Sequence, residues 1–556
     1  MQRGTLVLFI PLTLALAQVP ADQKPATIEG TVVSSVTRAL LRKVEVTLAN
    51  GDISQELAAW IRQSGGGDSI QLPEVATITL ATVTDPAGKF RFDQVPAGTW
   101  RLRARKPGFA DGRYPPKAGP LRLIAGQEMT HLDIRLVPYG TVSGHVLDED
   151  GEPLPGAIVS ALSYRYDSGH RRLMPADKDE TNNKGEFNLA RIPPGHYFLS
   201  ANVERMGFST SIPAPPADGA PETAYVSTYL PNALDLADAR KVDVAAGTEV
   251  SGLNIQLRKS LVVRVKGRLV DANGDPIKSA HLVLTRVGAP VGSRSMGGAA
   301  DPQGRFEIPY VQPGAYTATT LQTEGLIHED TMQTLVVPDR NVENLQLGVP
   351  QEATIQVKIV VDGDARPLPE RLPVVLTTAE GASATGIFSG KLDKSGAFTL
   401  DHVMRAPLEI MSADPPEGTY LKSVQFNDRE LPGQAFDCTS ITTGTLRIVL
   451  GTDGGKVDVR VSRDDKPAPN ATVALVPSDP SRRSPLTVYA RSSDASGHLT
   501  LKDVPPGDYL AFAWEDVEDG IWFDPEFLKA QPQGVHVRIG PKATEQVELN
   551  LIPAAQ

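Results

Sequence analysis

Five times along the chain an Asp or Asn is followed three residues later by Gly, and then by apolar residues at alternate positions. The segments are Asp85 to Phe92, Asn182 to Leu189, Asp301 to Ile308, Asp393 to Leu400 and Asp494 to Leu501. The alternating pairs are Phe90 and Phe92, Phe187 and Leu189, Phe306 and Ile308, Phe398 and Leu400, and Leu499 and Leu501. A period of two puts each pair on one face of a β-strand. The Asx side chain caps backbone N–H groups at the first turn position, Pro86 and Pro302 preset φ at the next, and Gly fits the fourth. Each segment therefore predicts a tight turn opening a strand.

Three residues beyond the second apolar position stands Val95, Ile192, Val311, Val403 or Val504. A second turn follows at Pro194-Gly195, Pro313-Gly314 and Pro506-Gly507, a pairing that predicts type II geometry. An aromatic residue (Trp100, Tyr197, Tyr316, Tyr509) then starts the returning strand. The fourth repeat departs here, with Arg405-Ala406 and Leu408, and should have a different loop.

Upstream lies another shared element: Asp148 to Gly151, Pro153-Leu154, Ala157 and Val159, which returns as Asp271 to Gly274, Pro276-Ile277, Ala280 and Leu282. It is weaker at Pro467, Ala471 and Val473, and the first repeat keeps only Val44 and Val46. It reads as a hairpin between the first two strands, with a small Ala at a packed position. Alternating strands close each unit at Leu132 to Leu136, Leu253 to Leu257, Val342 to Leu347, Leu446 to Leu450 and Val547 to Leu551. The expected units are 24–137, 138–258, 259–350, 351–452 and 453–556, each a β-sandwich. Linkers of a few residues suggest a semi-rigid rod; with ~3.3 Å per strand residue a straight string of five would reach roughly 150 to 200 Å.

Composition agrees with short strands and many turns: 556 residues include 49 Gly and 46 Pro, with 22% charged residues. Residues 1–17 resemble a secretory signal, with Arg3, the apolar stretch Leu6 to Leu16 and a small-x-small site at Ala15-Leu16-Ala17, so the mature chain is expected to begin near Gln18. A span of the membrane is not expected after cleavage, because Pro11 interrupts a stretch already too short and no other run is long enough. The net charge of −11 and the absence of a basic run argue against nucleic acid. The only cysteine, Cys438, has no intramolecular partner and reads as a small buried hydrophobe.

The Gly-x-Pro-Leu-x-x-Ala-x-Val element, followed by Asp-x-x-Gly-x-Phe and Pro-Gly-x-Tyr, resembles the carboxypeptidase regulatory-like domain. The resemblance implies an all-β chain: a tandem array of about five transthyretin-like Greek-key sandwiches, related to collagen-adhesin B-type repeats and carbohydrate-binding-like folds. It does not imply peptidase activity, since such a domain accompanies a catalytic one. Among the collagen-adhesin relatives a Lys to Asn or Asp isopeptide bond occurs. Asn254, Asn344 and Asp133 stand in terminal strands here, but Val146 and Leu269 occupy the positions that would need Lys.

None of the nine histidines has Glu three residues on, and His-Glu-x-x-His and Gly-x-Ser-x-Gly are absent. We expect no catalytic residues and no cofactor. Asp148, Asp150, Asp271, Asn273 and Asp275 have oxygen ligands suited to calcium, but a polar hairpin turn accounts for them and no metal is expected.

Binding candidates lie where the repeat is interrupted. In the fifth repeat Trp514, Trp522, Phe523 and Phe527 alternate with Glu515, Asp516, Glu518, Asp519, Asp524 and Glu526. Flat aromatics stack on sugar rings and carboxylates accept hydroxyl hydrogen bonds, yet packing in a core or between units explains the same residues. The second repeat has its own insertion, with Tyr164, Arg165, Tyr166, His170, Arg171 and Arg172, and later Tyr225 and Tyr229. Trp514, Trp522, Phe523, Asp524, Glu526, Tyr225 and Tyr229 are thus the candidate polysaccharide contacts. A short helix over 54–63 is expected to cover one end of the first sandwich, through Ile53, Leu57, Trp60 and Ile61. The function expected is a secreted, non-catalytic structural or adhesive module at the cell envelope, with polysaccharide binding as the alternative and a scattered enzyme site behind both.

Overall fold

The computed structural model describes residues 24–554 except 51–77, 115–120, 168, 204–213, 215, 217–219, 272, 278–279, 292, 294–295, 323–327, 349–352, 365–367, 369–370, 379–385, 404, 413–414, 417 and 495. The expected signal sequence at 1–17 and the expected helix at 54–63 lie outside these residues.

Five units follow one another, each made of two sheets facing each other across an apolar core. In the first sandwich the opening strand Ala26–Ser34 is buried at every second residue, as its alternating sequence requires. It lies between Lys89–Val95, to which it is antiparallel, and the closing strand Glu128–Leu136, to which it is parallel. The same three-strand arrangement recurs around Gly140–Leu147, Val263–Val270, Ala353–Asp362 and Gly455–Arg463. The facing sheet pairs Glu45–Ala49 with Thr79–Val83 and Gly98–Arg105 in the first unit, and Thr472–Pro477 with Tyr489–Ser492 and Gly507–Trp514 in the fifth. The fourth sandwich widens its first sheet with Tyr420–Phe426 and Arg429–Glu430.

The five Asx turns are alike in detail. Oδ1 of Asp85, Asn182, Asp301, Asp393 and Asp494 each accepts the N–H groups two and four residues on. The Gly that follows has φ between +69° and +77°, a region costly for residues with a Cβ. Its carbonyl accepts from the opening strand, as in Val146 N–H to Gly185 O at 2.8 Å. A Cβ on Gly185 would meet the Val146 carbonyl oxygen at 2.7 Å, so both conformation and space demand glycine. The hairpin turns at Asp148 and Asp271 use the same carboxylate-to-backbone bonds. Ala157, Ala280 and Ala471 are buried where small residues were expected.

The second turn differs from the type II expectation. Gly195, Gly314 and Gly507 have φ from +146° to +159°, a glycine-favouring conformation away from the +80° or so of that turn; Gly98 at +149° matches them, and each begins the returning strand. The aromatic two residues later locks the corner. Trp100 Nε1 donates to Pro96 O at 2.9 Å, and the hydroxyls of Tyr197, Tyr316 and Tyr509 donate to Pro193, Gln312 and Pro505 carbonyls at 2.6, 2.8 and 2.9 Å. Each ring is buried in its core, so the polar tip satisfies a carbonyl that burial would otherwise strand. Leu408 takes this place in the fourth sandwich.

A rod does not describe the assembly, because the second sandwich touches three of its neighbours. Its long hairpin Ala157–Asp167 with His170–Glu180 gives Leu173 O to Val291 N–H of the third sandwich at 2.8 Å, His170 to Glu409 of the fourth at 2.8 Å and Tyr166 to Asp524 of the fifth at 2.8 Å. Short linkers limit the path of the chain between units but leave the angle at each junction to side-chain contacts.

Candidate functional site

In the fifth sandwich the strand Gly507–Trp514 has two apolar faces. Tyr509, Ala511 and Ala513 face the main core, whereas Phe512 and Trp514 face outward with Ala474, Val476 and Ala490. An apolar outer face must be covered, and residues after Trp514 supply the cover. A 3₁₀ turn at Ile521–Phe523 and a short helix at Pro525–Lys529 bring Trp522, Phe527 and Leu528 onto it. Phe512 and Trp514 stack at 5.2 Å between ring centroids, and Phe527 lies tilted 6.0 Å from Trp514. Trp514 is 2% exposed and Trp522 8%, so neither indole presents an open face to a sugar ring.

The acidic candidates have structural partners. Asp524 caps the short helix, accepting from Glu526 and Phe527 N–H at 2.9 and 3.1 Å, and Pro525 suits the first helical position. Glu526 pairs with Lys529 at 2.6 Å on the surface, and Glu515 pairs with Arg463 at 2.5 Å.

The two insertions singled out in the sequence meet each other. The Tyr166 hydroxyl donates to Asp524 Oδ2, and burial followed by that bond pushes the Tyr166 phenol up to about 12. The Phe527 N–H and the Tyr166 hydroxyl hold the Asp524 carboxyl below the usual range. Gly520, at φ +85°, leaves room for Tyr166: a Cβ there would come within 2.4 Å of the Tyr166 Cβ. Gly169 lies against Pro485 and Phe523, and Arg171 stands over the Tyr164 ring at 4.2 Å. Burial raises the Glu518 carboxyl, an effect opposed by Arg171 and Arg165. The neighbouring contact adds the fourth sandwich, where Ser484 Oγ donates to Gln434 Oε1 at 2.7 Å and Leu486 packs on the fourth core.

Tyr225 serves the junction of the second and third sandwiches, and Tyr229 the outer face of the second. Thr223–Tyr225 pairs with Lys259–Leu261. The Tyr225 hydroxyl and Lys259 ammonium both donate to Glu149, and the ammonium lies 4.9 Å from the Tyr225 ring centroid. Lys259 first, then Tyr225, pull the Glu149 carboxyl down to about 2. Tyr229 packs beside Leu162, Leu173 and Phe198. Sequence reasoning missed Arg264, whose buried guanidinium bridges Glu222 and Glu307 across this junction. A lone Arg between apolar strand residues, Val263 and Val265, was the available signal. Asp133 is paired with Arg135, and Asn344 sits at φ +58° in a strand irregularity.

Cys438 is fully buried and burial pushes its thiol up to about 11. A thiol reagent is expected to leave the native chain unlabelled and to modify one group per chain in denaturant; rapid native labelling would contradict this packing. Among the described residues no group of three or more His, Cys, Asp or Glu is placed to hold a metal. No described helix is long and apolar enough to cross a membrane.

Paired sandwiches with a parallel opening and closing strand place the chain among tandem transthyretin-like β-sandwich proteins. Residues 27–137 and 141–258 each match the carboxypeptidase regulatory-like domain. Among curated proteins no significant match was found. Similar solved structures include the Bacillus anthracis TIE protein, at 10% identity, 73% of each chain and a TM-score of 0.16. A streptococcal ancillary pilin matches at 12% identity over 58% of this chain and 99% of its own, with a TM-score of 0.20. The minor pilin of Streptococcus agalactiae matches at 15% identity over 42% of this chain and 96% of its own, with a TM-score of 0.21.

Proposed function

We propose that the protein is an exported, non-catalytic structural or adhesive module of the cell envelope, released from its signal near Gln18. The observation that carries this reading is the use made of the two insertions. The aromatic and acidic stretch of the fifth sandwich and the hairpin of the second hold sandwiches together instead of lining a cleft. Such a chain offers shaped outer surfaces on a frame of linked sandwiches. Cell fractionation with N-terminal sequencing tests it, followed by co-sedimentation of the purified mature chain with isolated envelopes. The expected result is a chain starting near Gln18 that sediments with envelopes. An uncleaved cytosolic chain with no envelope affinity would sink the proposal.

Polysaccharide binding through Trp514, Trp522, Phe523, Asp524 and Glu526, with Tyr225 and Tyr229, is the competing reading. Both indoles lie under their own insert, so it would need that insert to open. Titrating the whole chain with cell-wall and plant polysaccharides is expected to leave Trp fluorescence unchanged. A saturable change abolished by Trp522→Ala would favour this reading instead.

A further inference from the structure

We propose that the hairpin of the second sandwich is a reversible electrostatic latch that folds the array back on itself, with the acidic insert of the fifth sandwich as its receptor. The hairpin outgrows its sheet. Its first strand pairs with Gly195–Val203 only from Ala157 to Leu162, yet its own two strands stay paired, past one irregularity between Ala161 and Leu162, out to Asp167 opposite His170. Beyond Leu162 the hairpin continues as a two-stranded ribbon whose base rests on Phe198 through Leu173 and Tyr164 and whose tip passes the edge of its sheet, and such a ribbon alone is marginal in water.

Contacts at its tip supply what the ribbon lacks, and the charges are complementary. The ribbon carries Arg165, His170, Arg171 and Arg172 against one acid, Asp167; the surfaces it meets carry Glu409, Glu518, Asp519 and Asp524. The fourth and fifth sandwiches form one side of the latch. They are joined by Tyr420 to Asp453 at 2.7 Å, Lys542 to Asp364 at 3.0 Å and Gly418 N–H to Asp503 at 3.1 Å. The second and third form the other side, joined at Arg264.

Magnitudes decide between a permanent weld and a latch. The ribbon is held by one partly exposed pair, His170 with Glu409, and one hydrogen bond, Tyr166 to Asp524, set among complementary charges, and a contact of so few polar links leaves relative motion as the default. Screening shortens the reach of these charges from about 10 Å at 0.1 M salt to about 3 Å at 1 M. Opening and closing should therefore follow ionic strength.

The experiment is small-angle scattering of the full chain at about 20 mM and 1 M salt, with hydrogen exchange of the core strands as the control for folding. A compact chain of this length has a radius of gyration of about 24 Å, whereas a straight string ~150 Å long has one of roughly 40 Å or more. The wild type is expected to be compact at low salt and to expand at high salt. The Arg165→Glu/Arg171→Glu variant should expand by about a third even at low salt. Adding Glu518→Arg and Asp519→Arg to that variant should restore compaction. A wild type already extended at low salt, a folded reversal variant that stays compact, or failure of the paired reversal to restore compaction would each overturn the latch.

Discussion

Gly144→Val is expected to unfold the second sandwich while leaving the fifth intact. Gly144 lies in the opening strand where the parallel closing strand Glu249–Gln256 slips register between Val250 and Leu253. A Cβ at Gly144 would come within 1.7 Å of the Leu253 carbonyl oxygen and 2.6 Å of its carbon, so backbone rather than a movable side chain fills the space. The variant must push apart strands whose residues Val142, Val146, Leu253 and Ile255 belong to one core. A loss of about 4 kcal/mol or more follows, a large share of the stability of a single domain. Hydrogen exchange over Gly140–Leu147 reads it locally, which a global melt of a five-unit chain does not. Gly151→Ala is the control: that turn is at φ +85° with open space around it, so the cost is backbone strain of about 1 kcal/mol. Equal protection in Gly144→Val and wild type would show that the close approach is not there.

The same position explains a division among the five units. Gly30, Gly144 and Gly267 lie beside the closing-strand carbonyls of Leu132, Leu253 and Leu345, and in all three units the parallel register slips nearby. A left-handed residue precedes each of those leucines: His131, Gly252 and Asn344. In the fourth and fifth sandwiches Val357 and Val459 stand at this place and the parallel pairing runs without a slip. The glycine and the irregularity therefore occur together, since a slipped carbonyl crowds the opening strand and only glycine leaves it room. This pattern is present in the sequence as Ile28-x-Gly30-x-Val32, Val142-x-Gly144-x-Val146 and Val265-x-Gly267-x-Leu269. It escaped a reading centred on turns.

Turn chemistry and strand alternation were legible because both are local: Asp85 caps N–H groups two and four residues away, and Phe90 and Phe92 share a face whatever surrounds them. Junction geometry was not legible, because it depends on pairs far apart in the chain. Tyr166 and Asp524 are separated by 358 residues, and neither segment alone announces the other. Sequence did mark both as interruptions of the repeat. The aromatic content of the fifth insert fits packing and sugar stacking equally well until the second apolar face of Gly507–Trp514 is recognised. That face was readable in principle. Leu510, Phe512 and Trp514 alternate with Tyr509, Ala511 and Ala513, so the strand is apolar on both sides.

Arg264→Met should uncouple the second and third sandwiches. The guanidinium is 2% exposed, binds Glu222 through Nε and Nη2 at 3.0 and 2.9 Å, and reaches Glu307 through Nη1 at 2.8 Å. The Glu222 hydrogen bonds hold the arginine charge more firmly than usual. Glu222 leads into the strand that pairs with Lys259–Leu261, and its carbonyl accepts from Val262 N–H at 2.9 Å, so the fork ties the linker of one unit to the sheet of the next. Removing the cation leaves two largely buried carboxylates facing each other, Glu222 without its partner and Glu307 with only Lys266 at 3.9 Å, at a cost of about 3 kcal/mol. Arg264→Lys should recover little, because an ammonium cannot make the paired contacts of the planar fork. Arg264→Met/Glu222→Gln/Glu307→Gln should recover much of the loss, since the stranded charges go with the cation. Hydrogen exchange of Lys259–Leu261 and Val263–Val270 measures all three. Faster exchange in Arg264→Met with no recovery in the triple variant would assign the loss to missing side-chain packing rather than to unpaired charge, and unchanged exchange in Arg264→Met would remove the fork from the junction.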